Sequence, residues 1–150
     1  NPSLSKQESE YIYKIKNKLR KTLGKIHNGD KGLIHADLLE ENILVDTQKM
    51  WIIDFDDCGF GFREYDLATI LIQHFNKRYF NQAKSALIEA YNKARNKFQT
   101  DTNTINFFIM VRSLVSCGWG ISRAPLGSSV HREQADRALS CLELFNSYGS

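Results

Sequence analysis

Apolar residues recur at helical spacing near the start of the chain. Ile12, Ile15, Leu19, Leu23 and Ile26 follow one another at three- and four-residue steps, which marks one buried helix face. They predict an amphipathic helix over residues 5–27, capped by Ser5 or Ser9. Lys14, Lys16, Lys18, Arg20, Lys21 and Lys25 fill its other face. Residues 28–32 (Asn-Gly-Asp-Lys-Gly) then stop the helix and turn the chain. Beyond them the pattern shortens to apolar runs at 33–35, 42–45 and 50–54. The last two read as paired strands around a polar turn at 46–49. Residues 55–63, with Gly59 and Gly61, read as a loop. From there helical periodicity returns over 64–76, 79–98, 102–122 and 131–146, with Thr102 and Ser128 or Ser129 as caps. Pro125 and Gly127 separate the last two helices. Helix, small sheet and then helices describe a mostly helical α+β unit.

Composition narrows the class. A chain of 150 residues suits one domain or one lobe of a larger one. Apolar residues at 42% and charged residues at 25% are ordinary for a folded globular protein and exclude whole-chain disorder. No apolar run approaches the roughly 20 residues that span a bilayer, and no signal-peptide pattern opens the chain. No membrane partner is therefore expected. Cys58, Cys117 and Cys141 are odd in number and far apart. They offer no disulfide framework, which points to a reducing cytoplasm. A net charge of +3 is too mild to imply nucleic acid. The basic face of the first helix lacks interleaved aromatics and reads as a solvated face. The chain opens on Asn1 rather than Met, so a fragment of a longer protein is expected.

The polar residues of the β-like region sit at its ends: His35, Asp37, Asn42, Asp54, Asp56 and Asp57. A three-residue turn at 47–49 would set Asn42 directly opposite Asp54. An amide oxygen beside a carboxylate suits Mg²⁺, a hard cation that keeps waters and phosphate oxygens as its other ligands. Asp37, across a tight loop, would face the same cleft, where a carboxylate can orient an alcohol and accept its proton. A metal-binding pair plus a separate acid is what phosphoryl transfer needs.

The series His35-x-Asp37-x-x-x-x-Asn42, followed by Ile53-Asp54-Phe55-Asp56, resembles the catalytic and metal-binding segments of the aminoglycoside phosphotransferase/choline kinase family. Tyr65-Asp66-Leu67-Ala68 is similar to the family's Asp-x-Ala element. The resemblance covers about residues 33–70. It implies the C-terminal lobe of a protein-kinase-like fold, with a small β-hairpin carrying the catalytic and metal loops. It implies Asp37 as catalytic base, Asn42 and Asp54 as ligands of Mg²⁺ and thereby of ATP, and Asp56 at a second Mg²⁺. His35 and Asp66 would brace the catalytic loop. Leu39 stands where protein kinases carry Lys, and Asp56 where they carry Gly, which favours a small-molecule alcohol as acceptor over a protein hydroxyl. The family's C-terminal helices shape the acceptor pocket. On the corresponding segments here, Trp119 is assigned to packing and Arg123 to an anionic substrate group. Nothing before residue 33 resembles the N-terminal nucleotide-binding lobe, so that lobe is expected to be missing from this chain, leaving the chain alone inactive.

Two other readings compete. A non-catalytic kinase-like scaffold would not need Asp37, Asn42 and Asp54 together. A metal-dependent phosphoester hydrolase would need more histidines, whereas His27, His74 and His131 lie outside the motif. Gly24 and Gly29 mimic half a phosphate-binding loop, but Asp30 stands where Lys is required. Gly59-Phe60-Gly61 reads as a turn after the metal loop.

Overall fold

A computed structural model of the protein describes residues 1–26 and 29–146. His27 and the start of the expected turn at Asn28 lie outside the described residues. In chain order the elements are α1 (Lys6–Leu23), β1 (Lys31–Ile34), a 3-10 turn (Glu40–Asn42), β2 (Ile43–Val45), β3 (Met50–Ile52), β4 (Gly59–Phe62), α2 (Arg63–Ile72), α3 (Phe80–Ala94), α4 (Thr102–Arg123) and α5 (Ser129–Asn146). They form two compact units, Asn1–His27 with Met110–Ser150, and Asn28–Ile109.

In the first unit, α1 opens with a capping box. The Ser5 hydroxyl accepts the Glu8 N–H at 3.2 Å, and the Ser5 N–H donates to Glu8 Oε2 at 2.7 Å, satisfying donors that a helix start leaves orphaned. Ile15 and Leu19 turn inward from α1. Cys117, Ala135 and Ala138 form a small core with Leu4 packed against it. Asn1 Nδ2 donates to the carbonyls of Cys117 at 3.2 Å and His131 at 3.0 Å. Arg132 pairs with Glu8 at 2.8 Å and with Asp136. Gly127, at φ 86°, makes the break after Pro125. Ser128 rather than Ser129 caps α5, its hydroxyl accepting the Val130 N–H at 3.3 Å.

The start of α4 differs from expectation. Asp101, not Thr102, caps it: Asp101 Oδ1 accepts the Thr104 N–H at 2.7 Å. By length and composition alone, α4 is apolar enough to cross a membrane, which the short apolar runs did not suggest. More than half of that stretch (56%) is buried in the protein, as in a core helix.

In the second unit, β1 pairs antiparallel with β4, matching Lys31 to Phe62, Gly32 to Gly61, Leu33 to Phe60 and Ile34 to Gly59. Residues 59–62, read from sequence as loop and turn, are therefore a strand. Separately, β2 pairs antiparallel with β3. Ala68, Leu71 and Ile72 of α2, together with Phe75, Phe80, Ile105 and Phe108, are buried. The Phe62 and Phe108 rings meet at 5.5 Å and the Phe75 and Phe80 rings edge-on at 5.6 Å. Directly before β1, Asp30 is fully buried. It accepts from Arg63 Nη1 at 2.6 Å, Arg95 Nε at 2.7 Å and Tyr91 Oη at 2.5 Å. These charge-assisted bonds tie α2 and the end of α3 to the root of β1. They also explain why α3 stops at Ala94: Arg95 leaves the helix (φ −114°, ψ 53°) with its guanidinium on Asp30.

Candidate active site

The chain leaves β1 into a loop held at its first residues by α2. Asp66, in the first turn of α2, accepts the His35 N–H on Oδ2 at 2.8 Å and the Ala36 N–H on Oδ1 at 2.9 Å. A carboxylate there also sits favourably at the helix N-terminus. Ala36 takes a left-handed conformation, φ 68°, which costs a residue with a Cβ roughly 1–2 kcal/mol. The two bonds to Asp66 offset that cost and fix the backbone that leads into Asp37.

Asp37 is half-buried. Its carbonyl accepts the Leu39 N–H at 2.8 Å and Asn42 Nδ2 at 2.9 Å. Asn42 is buried, and its amide orientation follows from this bond: the NH₂ faces Asp37, leaving Oδ1 as the free acceptor end. Asp37 and Asn42 are thus brought together by the fold.

The hairpin register differs from expectation by one residue. Ile43 faces Ile52, Leu44 faces Trp51 and Val45 faces Met50. Asn42 therefore pairs with Ile53, whose N–H it accepts at 3.1 Å, and not with Asp54. The cause is Asp46, whose Oδ1 accepts the N–H groups of both Gln48 and Lys49 at 2.7 Å, closing a tighter turn than the one expected at 47–49. Asp54 follows immediately, exposed and left-handed at φ 63°. That conformation ends the strand and takes Asp54 out of the pleat's alternation.

His35 joins the two loops. It is buried, its Nε2–H donates to the Ile53 carbonyl at 2.8 Å, and Phe55 packs on its ring at 4.6 Å. Asp56 and Asp57 lie in the exposed turn closed by Cys58 N–H on the Phe55 carbonyl at 3.0 Å. Nothing in that turn draws Asp56 toward Asn42. Among the described residues, no three His, Cys, Asp or Glu side chains converge on a point that a metal could fill. His74 Nδ1 instead meets Tyr79 Oη at 3.1 Å, and His131 Nε2 donates to the Gly120 carbonyl at 3.0 Å. The Asn42 amide and the Asp54 carboxylate offer hard oxygens, the donor type that a hard divalent cation takes.

The candidates on the helices are placed differently. Trp119 is half-exposed, and the Arg123 guanidinium packs over its ring at 4.9 Å. Gln73, at the end of α2, was not singled out from sequence. Its side chain reaches the 3-10 turn at Glu40 and Glu41, and its place two helical turns after Asp66 is the only sequence signal for it.

Residues 4–103 match the model of the phosphotransferase enzyme family. No curated protein matches the chain. Among solved structures, the chain is similar to the microcompartment-associated aminopropanol kinase, at 24% identity and a TM-score of 0.75, over 96% of this chain and 46% of that one. It is also similar to amicoumacin kinase hAmiN, solved with AMP-PNP, Ca²⁺ and Ami, at 19% identity and a TM-score of 0.71, over 94% and 46%. A third is a choline/ethanolamine kinase family protein from Mesorhizobium loti, at 16% identity and a TM-score of 0.72, over 97% and 50%. At these identities the likeness establishes a kinase-like fold. The chain spans about half the length of each of these structures.

Proposed function

Because the chain belongs to the phosphotransferase enzyme family, we propose that it is the C-terminal, catalytic-loop lobe of a kinase transferring the γ-phosphoryl group of ATP to a hydroxyl of a small molecule. The observation that carries this reading is the tie between the loops. Asp66 holds the start of the catalytic loop, Asn42 closes it onto the Asp37 carbonyl, and His35 fastens it to the residue before Asp54.

Asn42 Oδ1 and Asp54 would hold Mg²⁺, which with ATP bound neutralises phosphate charge. Asp37 orients the acceptor hydroxyl and takes its proton as the new O–P bond forms and the bond to the departing ADP oxygen breaks. Asp56, exposed and not tied to the pair, suits a second, looser ion. The acceptor we favour is an amine-bearing alcohol. Asp37, Glu40, Glu41, Asp54, Asp56 and Asp57 make the two loop segments rich in carboxylates, and two of the structural neighbours are named for aminopropanol and for choline/ethanolamine.

An N-terminal lobe would complete the ATP pocket. The hairpin beside Asp54 exposes Leu44, Val45, Met50, Trp51, Ile52 and Ile53, apolar residues on both its faces that favour cover by another element. A cytoplasmic location suits ATP as donor and three free cysteines.

Transfer to an amino alcohol by the two-lobed protein tests the reading. Asp37→Asn is expected to abolish transfer while sparing nucleotide binding, and unchanged turnover would refute the assignment.

A further inference from the structure

We infer that Gln73 is a positioning residue for the catalytic loop, making α2 a clamp that grips the loop at both ends. The inference rests on the kinase reading for its functional half only. The 3-10 turn that delivers Asn42 starts at Glu40, and its N-cap, Leu39, has no side chain able to accept the turn's first N–H. Left to itself that exposed N–H would bond only water, which holds the turn in no fixed place relative to α2. Gln73 supplies the missing acceptor from another element. Its Oε1 takes the Glu40 N–H at 2.6 Å, and its Nε2 donates to Glu41 Oε2 at 2.9 Å. The amide has one workable orientation, because reversing it would set NH₂ against N–H and oxygen against carboxylate.

Asp66 and Gln73 are two helical turns apart, on one face of α2, a separation of about 10 Å along the axis. Asp66 fixes His35 and Ala36, and Gln73 fixes Glu40 and Glu41. The segment from Asp37 to Leu39 is suspended between these two grips on a single helix, and Asn42 directly follows the second grip. Two backbone anchors on one helix define both the position and the direction of that segment, as preorganisation of a phosphoryl-transfer site demands.

The test is amide hydrogen exchange by NMR on the chain itself. Gln73→Ala is expected to speed exchange at the Glu40 amide about tenfold, the equivalent of one lost hydrogen bond, while the core amide of Ile105 keeps its rate. Gln73→Glu, which sets a carboxylate against Glu41, is expected to speed it too, and adding Glu41→Gln to restore it. Unchanged exchange at Glu40, a rise shared equally by Ile105, or failure of the paired exchange to rescue would overturn the clamp. These readouts decide the clamp whether or not the unaltered protein binds nucleotide. Where it binds Mg²⁺·ATP, Gln73→Ala is expected to weaken that binding several-fold, and equal affinity would overturn the positioning role.

Discussion

The Nε2–H of His35 donates to the carbonyl of Ile53 at 2.8 Å. The bond spans the two candidate loops: His35 stands two residues before Asp37, and Ile53 one residue before Asp54. It fixes the ring as the Nε2–H tautomer and leaves Nδ1 buried without a hydrogen-bond partner. Phe55 covers the ring face. Through this one side chain the proposed base and the proposed metal ligand are held in a common frame.

Removing the ring separates the loops. His35→Ala is expected to cost about 2 kcal/mol, combining a buried hydrogen bond with lost packing. Urea denaturation measures it, and a cost indistinguishable from zero would show that the tie carries no strain between the loops.

Ala36 pays for its left-handed φ of 68°. Ala36→Gly removes the Cβ clash without touching the bonds to Asp66 and is expected to raise stability by about 0.5–1 kcal/mol. Ala36→Val is expected to lower it. Thermal melts of the two variants should move in opposite directions.

The Arg63 guanidinium occupies the space beside Gly32. A Cβ on Gly32 would lie 2.0 Å from Arg63 Nη2. Gly32→Ala is therefore expected to push Arg63 off Asp30 and to cost about 1.5 kcal/mol, the scale of one hydrogen bond to a charged group, because Arg95 and Tyr91 still pair Asp30. In an Arg63→Ala background the same substitution should cost far less, because the clash is gone. Equal costs in both backgrounds would place the damage elsewhere.

Acid should unfold the second unit through Asp30. The Arg95 hydrogen bond, followed by Tyr91 and Arg63, lowers its carboxyl pKa from 3.8 to about 2, against the opposing effect of burial. The folded state therefore binds fewer protons than the unfolded state between those values. Asp30 contributes its stability in full above the unfolded pKa and loses it as pH falls toward 2. Glu8, lowered to about 2 by Arg132, acts in the same direction in the first unit. Stability measured between pH 6 and pH 2 should fall less steeply in Asp30→Asn, starting from a lower plateau.

Features carried by local spacing were legible in the sequence. The helices, the β2–β3 hairpin and the order of His35, Asp37, Asn42, Asp54 and Asp66 all follow from short-range pattern. What was missed depends on partners far along the chain or on a single side chain. β4 reads as a loop because Gly59 and Gly61 have poor strand propensity. A Cβ on Gly61 would lie 2.6 Å from Ile34 Cδ1, so its glycine is demanded by a contact that local pattern does not show. The register slipped by one because Asp46 takes two turn N–H groups. Asp30 passes for a turn residue until Arg63, Tyr91 and Arg95, 33, 61 and 65 residues away, converge on it.

The most direct test of the central claim is calorimetric titration of Mg²⁺·ATP into the chain extended at its N-terminus by the proposed nucleotide-binding lobe, with Asp54→Ala as control. The account predicts binding that requires Mg²⁺ and is lost in Asp54→Ala. Binding of equal strength without Mg²⁺ or in Asp54→Ala, or no binding at all, would contradict it.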